Sequence, residues 1–197
     1  MEFFVSVALR AVAGSCLLTL LLGAGACDSG TSTTAAPPVA SSSAAGFFGG
    51  TDLAWVEITI AMDEQLLPLL DLAPTHASDP GLRSLAAEIR TTHEQELGTL
   101  RGLHDEAKLP SENPHKGMPM PGMVTPEQVT EAAAARGATF DKLLAQHLEA
   151  HLEQGVRLAE SEGKAGLEPR TKDLAAQVLA GRRQFLAQLP ATKSSGK

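Results

Sequence analysis

The sequence predicts an all-α fold, an antiparallel four-helix bundle built from two duplicated helix pairs, and three observations lead there. From Thr51 onward there is no Tyr, one Trp and no alternating β-branched run, so strand signals are missing. Apolar residues recur instead at spacings of three and four, the period of a helix with one buried face. Finally, LAAEIRTTHEQELGTL, from Leu85, returns as LAAQVLAGRRQFLAQL, from Leu174, and the same offset of 89 positions lays Glu64-Gln65 on Glu153-Gln154. Two helix pairs, neither able to bury its own apolar face alone, close on one another.

The first helix is expected over Asp52 to Ala73, bent by Pro68 in its interior. A second starts after Asp79-Pro80, a cap followed by a first-turn proline, and its inward stripe is Leu82, Ala86, Ile89, His93, Leu97, Leu100 and His104. Thr125-Pro126-Glu127-Gln128 is a capping box that opens a third. Gly137 interrupts it before a longer helix from Thr139 to about Glu162, and the last runs from Pro169 to Leu189. Half one then covers 51–108 and half two 125–190. A Met-rich connector, 109–124, joins them, and a disordered tail, 191–197, follows.

Residues 1–26 read as a leader. Arg10 precedes AVAGSCLLTLLLGAGA, an apolar run of 16 residues, short for a spanning helix and ending in small residues as secretory signals do. The sequence GAGACDSG resembles a bacterial lipoprotein signal, with Ala24 where that motif usually has Leu. Cys27 would become the lipidated first residue and a membrane the partner, two acyl chains being enough for stable anchoring. The alternative is plain secretion with a free Cys27. Cys16, the only other cysteine, lies within the apolar run, so no disulfide framework or thiolate metal site would survive processing. Residues 27–50 continue as a Ser/Thr/Ala/Pro/Gly-rich tether. A net charge of −7 and a pI near 5.3 argue against nucleic acid.

The chemistry-bearing residues are imidazoles and thioethers. HKGMPMPGM, residues 115–123, places His115, Met118, Met120 and Met123 in one Pro/Gly-rich loop, three of the five methionines of the chain. Thioethers select Cu(I) and imidazole serves either copper state, whereas hard cations ignore sulfur. The competing reading is packing, with methionines pinning a loop against helices. His147 and His151, four apart, share a helix face and form a two-nitrogen chelate for Cu(II) or Zn(II), or else sit at a helix–helix margin. His93 and Glu96 are three apart, and His93 is placed to face His151 across the bundle, or to be a hydrogen-bonded core histidine. Enzymatic readings find less. A di-iron centre needs paired Glu-x-x-His motifs on facing helices, which the expected helices lack, and no Gly-rich loop follows a strand.

MPGMVTPEQVTEAAAARGATFDKLL, residues 120–144, and ASDPGLRSLAAEI, residues 77–89, resemble the bacterial domain of unknown function 305 family, and the resemblance extends over about residues 52–189. It implies a ferritin-like helical bundle, export, and in some members an association with copper. The usual family pattern has a His-His pair in the first helix of each half and Gln-x-x-Glu in the second. Here the first pair falls on Met62-Asp63 and the second on His151-Leu152. The Gln and Glu positions fall on His93 and Glu96, then on Arg182 and Phe185. The expectation is an exported, membrane-anchored helical protein, not an enzyme, that binds copper weakly through Met and His. The rival is a metal-free envelope scaffold or interaction module.

Overall fold

Prolines and side-chain caps fix where the helices begin. In the computed structural model, which describes residues 47–190, the described residues form α1 (Gly50–Leu70), α2 (Ala73–His76), α3 (Pro80–Glu106), α4 (Pro126–Ala134), α5 (Ala138–Ala165) and α6 (Pro169–Gln188), with no strand among them. The fold is all-α. The leader, Cys27, most of the tether and the tail lie outside the described residues.

Asp79 caps α3 by accepting a hydrogen bond from Leu82 N at 2.9 Å, and Glu168 caps α6 by accepting one from Thr171 N at 2.9 Å. Proline follows each cap. The capping box at α4 is formed, Thr125 Oγ1 accepting from Gln128 N and Gln128 Oε1 accepting from Thr125 N. The first helix differs from expectation. Pro68 falls in the last turn of α1, and the helix ends two residues later, with the chain resuming as the one-turn α2. Proline offers no N–H to that turn, so a stop there costs little.

The long helices pack into one body, α1 against α3 and α5, and α5 against α6. Apolar side chains fill it in two large groups and a small one of Ala61, Met62 and Met123. One large group holds Leu66, Leu69, Ile89, Phe140, Leu148 and Leu152, the other Trp55, Val56, Ile60, Leu97, Leu100 and Val178. On α1, α3 and α6 the register between the groups falls on Asp63, His93 and Arg182, all buried. The expected stripe of α3 is buried except at His104, whose ring keeps a small exposed part and meets the Pro110 carbonyl.

The 89-residue repeat reappears in the hydrogen bonds. Asp52 Oδ1, in the first turn of α1, accepts from Leu167 N at 2.9 Å and Glu168 N at 3.0 Å, where α6 begins. Asp141, in the first turn of α5, accepts from Ser78 N at 3.0 Å and Asp79 N at 3.1 Å, where α3 begins. All three positions correspond at the offset of 89. Each half thus supplies a carboxylate to a helix start of the other, where orphan N–H groups and the helix dipole favour an anion.

Ile89 and Leu148 have no exposed surface. Ile89→Ala and Leu148→Ala should each lower stability by about 2–5 kcal/mol, whereas the exposed Arg101→Ala should change it by no more than about 0.5 kcal/mol. Urea unfolding midpoints check this, and equal losses at all three positions would contradict the assigned core.

Candidate metal centre

Asp63, His93 and His151 come from α1, α3 and α5, and each is no more than 1 % exposed. Their ligand-capable atoms converge within 4.8 Å of one another. His93 Nε2 lies 2.9 Å from His151 Nε2, and Asp63 Oδ1 is 3.4 and 3.5 Å from the two.

His93 Nδ1 is 2.9 Å from the Ile89 carbonyl. A carbonyl only accepts, so this Nδ1 carries the hydrogen and donates, and in the neutral ring Nε2 presents a lone pair to His151 and Asp63. His151 Nδ1 faces the Gly122 carbonyl at 3.3 Å, while its Nε2 is within hydrogen-bond distance of His93 Nε2 and bonded to Asp63. A ligating histidine held through its far N–H by a backbone carbonyl is how metal sites orient imidazole.

Arg182 of α6 completes the cluster. Its guanidinium donates to Asp63 Oδ1 at 3.2 Å and to both Glu96 oxygens, at 3.1 and 2.6 Å. It crosses α5 at Gly155, where a Cβ would stand 3.2 Å from its Nε, so the missing side chain provides the room. Asp63 Oδ2 is buried with no hydrogen-bond partner. Beside it a void of about 10 Å³ is bordered by Thr59, Met62, Asp63, His151 and Arg182, about the room one water or ion requires.

Burial dominates the electrostatics. It pushes His93 down to about 3 against the pull of Asp63, and it lowers His151 likewise, favouring the neutral form of each ring. Burial opposes ionisation of Asp63, but His93, the Arg182 guanidinium and a hydrogen bond with His151 bring it below the usual carboxylate range. Burial raises Glu96, with Arg182 pulling the other way.

The remaining sequence candidates scatter. His147 does not join His151. It is half-buried, lowered by burial and countered by Glu131 of α4. Glu96 is taken up by Arg182. Met118 is 43 % exposed, while Met123 is buried against Met62 and Ala61, with Met120 packed partly against them. His115 is half-buried in the connector, its Nδ1 without a hydrogen-bond partner. The connector still reaches the site, through its backbone. Gly122, at φ +77°, delivers the carbonyl to His151, and a Cβ there would lie 2.6 Å from the Ala150 carbonyl oxygen. Sequence reasoning missed Asp63 as a donor and Arg182 as its partner. The 89 offset was the available signal, because it aligns Met62-Asp63 with His151-Leu152 and His93 with Arg182.

The Domain of unknown function (DUF305) family model matches residues 52–192. The chain belongs to this family. Solved structures agree on the fold. A DUF305 protein from Streptomyces coelicolor, described as secreted, is 22 % identical with a TM-score of 0.63, over 71 % of this chain and 89 % of its own. A DUF305 fragment from Deinococcus radiodurans is 16 % identical with a TM-score of 0.64, over 72 % and 94 %. CopM in a Cu(II)-bound form is 18 % identical with a TM-score of 0.62, over 70 % and 92 %. CopM has also been solved in an Ag-bound form, 17 % identical with a TM-score of 0.57. No curated protein matches.

Arg182→Ala should leave Asp63 and Glu96 buried without their cation and lower stability by about 3–5 kcal/mol. Adding Glu96→Gln should recover part of that loss. Denaturant unfolding at neutral pH reads both, and a single variant as stable as the parent would deny Arg182 this role.

Proposed function

We propose that this protein binds one soft or borderline metal ion, copper above all, at His93, His151 and Asp63. The convergence of two imidazole Nε2 atoms and a carboxylate oxygen in one buried spot carries the reading. Both rings can keep their hydrogen on Nδ1, where a backbone carbonyl faces it, and two imidazoles with a carboxylate then suit copper. Met62 borders the same void, and Met120 and Met123 pack behind it, a surround that favours a soft ion over a hard one. With neutral rings, Asp63, Glu96 and Arg182 sum to one negative charge. A monovalent ion such as Cu(I) would neutralise the cluster, whereas a divalent one would leave a buried positive charge. CopM, a structural neighbour, is named for Cu(II)-bound and Ag-bound forms, which lends support. His93 and His151 would hold the ion, and Asp63 would supply charge through its unpartnered oxygen.

The long helices are read as a ferritin-like four-helix bundle of duplicated hairpins. The role is binding, with no reaction of its own. The leader sequence places the protein outside the cytoplasm, held to the membrane by lipid on Cys27. No described helix is long and apolar enough to cross a membrane. One observation favours a second reading, a metal-free scaffold: Arg182 already gives both acids a cation.

Cu(I) under reducing conditions, or Ag(I), should be retained at one equivalent by the full chain after dialysis. It should stabilise the fold by about 2.7 kcal/mol at a hundredfold excess over Kd. His93→Ala and His151→Ala should abolish retention, and Met118→Leu should not. Because burial pushes His93 down to about 3 and lowers His151 as well, retention should be lost at a lower pH than at an exposed histidine site. Absence of both retention and thermal shift would leave the scaffold reading. Separately, Cys27→Ser should move the protein from the membrane fraction to the soluble one, and unchanged partitioning would remove the lipid anchor.

A further inference from the structure

A second buried polar cluster lies at the start of α1, three helical turns from the metal centre. Asp52 accepts four hydrogen bonds, at Oδ1 from Leu167 N, Glu168 N and Thr171 Oγ1, and at Oδ2 from Gly49 N at 2.6 Å. Four donors are what an ionised carboxylate takes, so Asp52 is the anion. The Thr171 hydroxyl is overcommitted. It lies 2.9 Å from Asp52 Oδ1, 2.8 Å from Glu162 Oε1 and 2.8 Å from the Glu168 carbonyl. One hydroxyl hydrogen cannot serve three acceptors. Given to Asp52, it leaves Thr171 Oγ1 facing Glu162 with no hydrogen between them, unless Glu162 brings its own. Glu162 has no exposed surface, and its Oε2 has no partner.

The other half shows what the clamp needs. Asp141 holds the start of α3 as Asp52 holds that of α6, yet at the offset of 89 Ala73 stands for Glu162 and Leu82 for Thr171. The second carboxyl is therefore an addition to a clamp that works without one.

We propose that Glu162 holds the single proton that closes this end of the helical body, and that losing it unfastens the first turn of α1 from the α5–α6 connection. Glu162 donates to Thr171 Oγ1, and Thr171 donates to Asp52. The charged groups around the pair are Asp52 from α1 and, from α6, Lys172 with Glu168, the latter at its cap. Glu168 is bound by Arg170, which also reaches Glu106 of α3. Burial, then Asp52, pushes Glu162 up to about 7, with Lys172 pulling back. Burial opposes Asp52, but its hydrogen bonds bring it down to about 2. A carboxyl raised on folding contributes fully below its ordinary value of 4.5, and that contribution is lost as pH rises through 7. The Asp52 contribution is lost only as pH falls through about 2, outside that window.

The folded-to-unfolded ratio of the full chain should fall roughly tenfold to a hundredfold between pH 5 and 8, and Glu162→Gln, whose amide donates at any pH, should flatten that dependence. The amides of Leu167 and Glu168 should gain hydrogen exchange with pH more steeply than those of Ser78 and Asp79 in the other clamp. Should the variant fail to fold, the carboxyl carbon of Glu162, followed by NMR in the parent, decides. Titration near neutrality is expected. Titration in the ordinary glutamate range, or equal exchange behaviour at the two clamps, would overturn the proposal.

Discussion

Asp63 is a carboxylate with almost no access to water, and the centre of the molecule is arranged around that fact. An isolated buried charge is too costly to keep, so α6 contributes Arg182, and Arg182 in turn requires Glu96 because one acid does not satisfy a guanidinium. The ion pair fixes how α1, α3 and α6 approach one another at mid-height. His93 and His151 are positioned against the remaining face of Asp63. The apolar groups above and below supply the bulk of the burial, but they would tolerate a small slide of one helix along another. The charged layer between them does not, since a shift of about one residue's rise, about 1.5 Å, breaks contacts made at 2.6 to 3.5 Å.

Much of the fold was legible because its signals are local. Asp79-Pro80, Thr125-Pro126 and Pro169 mark helix starts through capping chemistry that acts within four residues, and the structure begins its helices there. The early end of α1 was harder. A proline in an apolar run reads equally as a bend or a stop, and which occurs depends on what the following residues pack against.

The candidate site was half legible. His93 lay on an inward stripe with a partner expected on α5, and His151 is that partner. Asp63 and Arg182 were not seen as parts of one site, because an acid on α1 and a base on α6 acquire meaning only when the helices bring them together across 119 positions. The methionine loop reaches the site by a different route from the one its side chains suggest. Its side chains attracted notice, yet the atom it brings to His151 is a backbone oxygen, which no sequence pattern displays. Exposed Met118 and half-buried His147 show the same limit: spacing gives a common face, and packing decides what that face meets.

The exchanged clamps carry a further implication. Asp52 reaching over to the start of α6, while Asp141 reaches back to the start of α3, is an isologous arrangement, the self-complementary form of contact that joins two identical subunits about a dyad. The two halves are thus fastened by the same bond made twice. The segment between them, residues 109–124, is relieved of that task and serves another, the backbone contact that faces an imidazole.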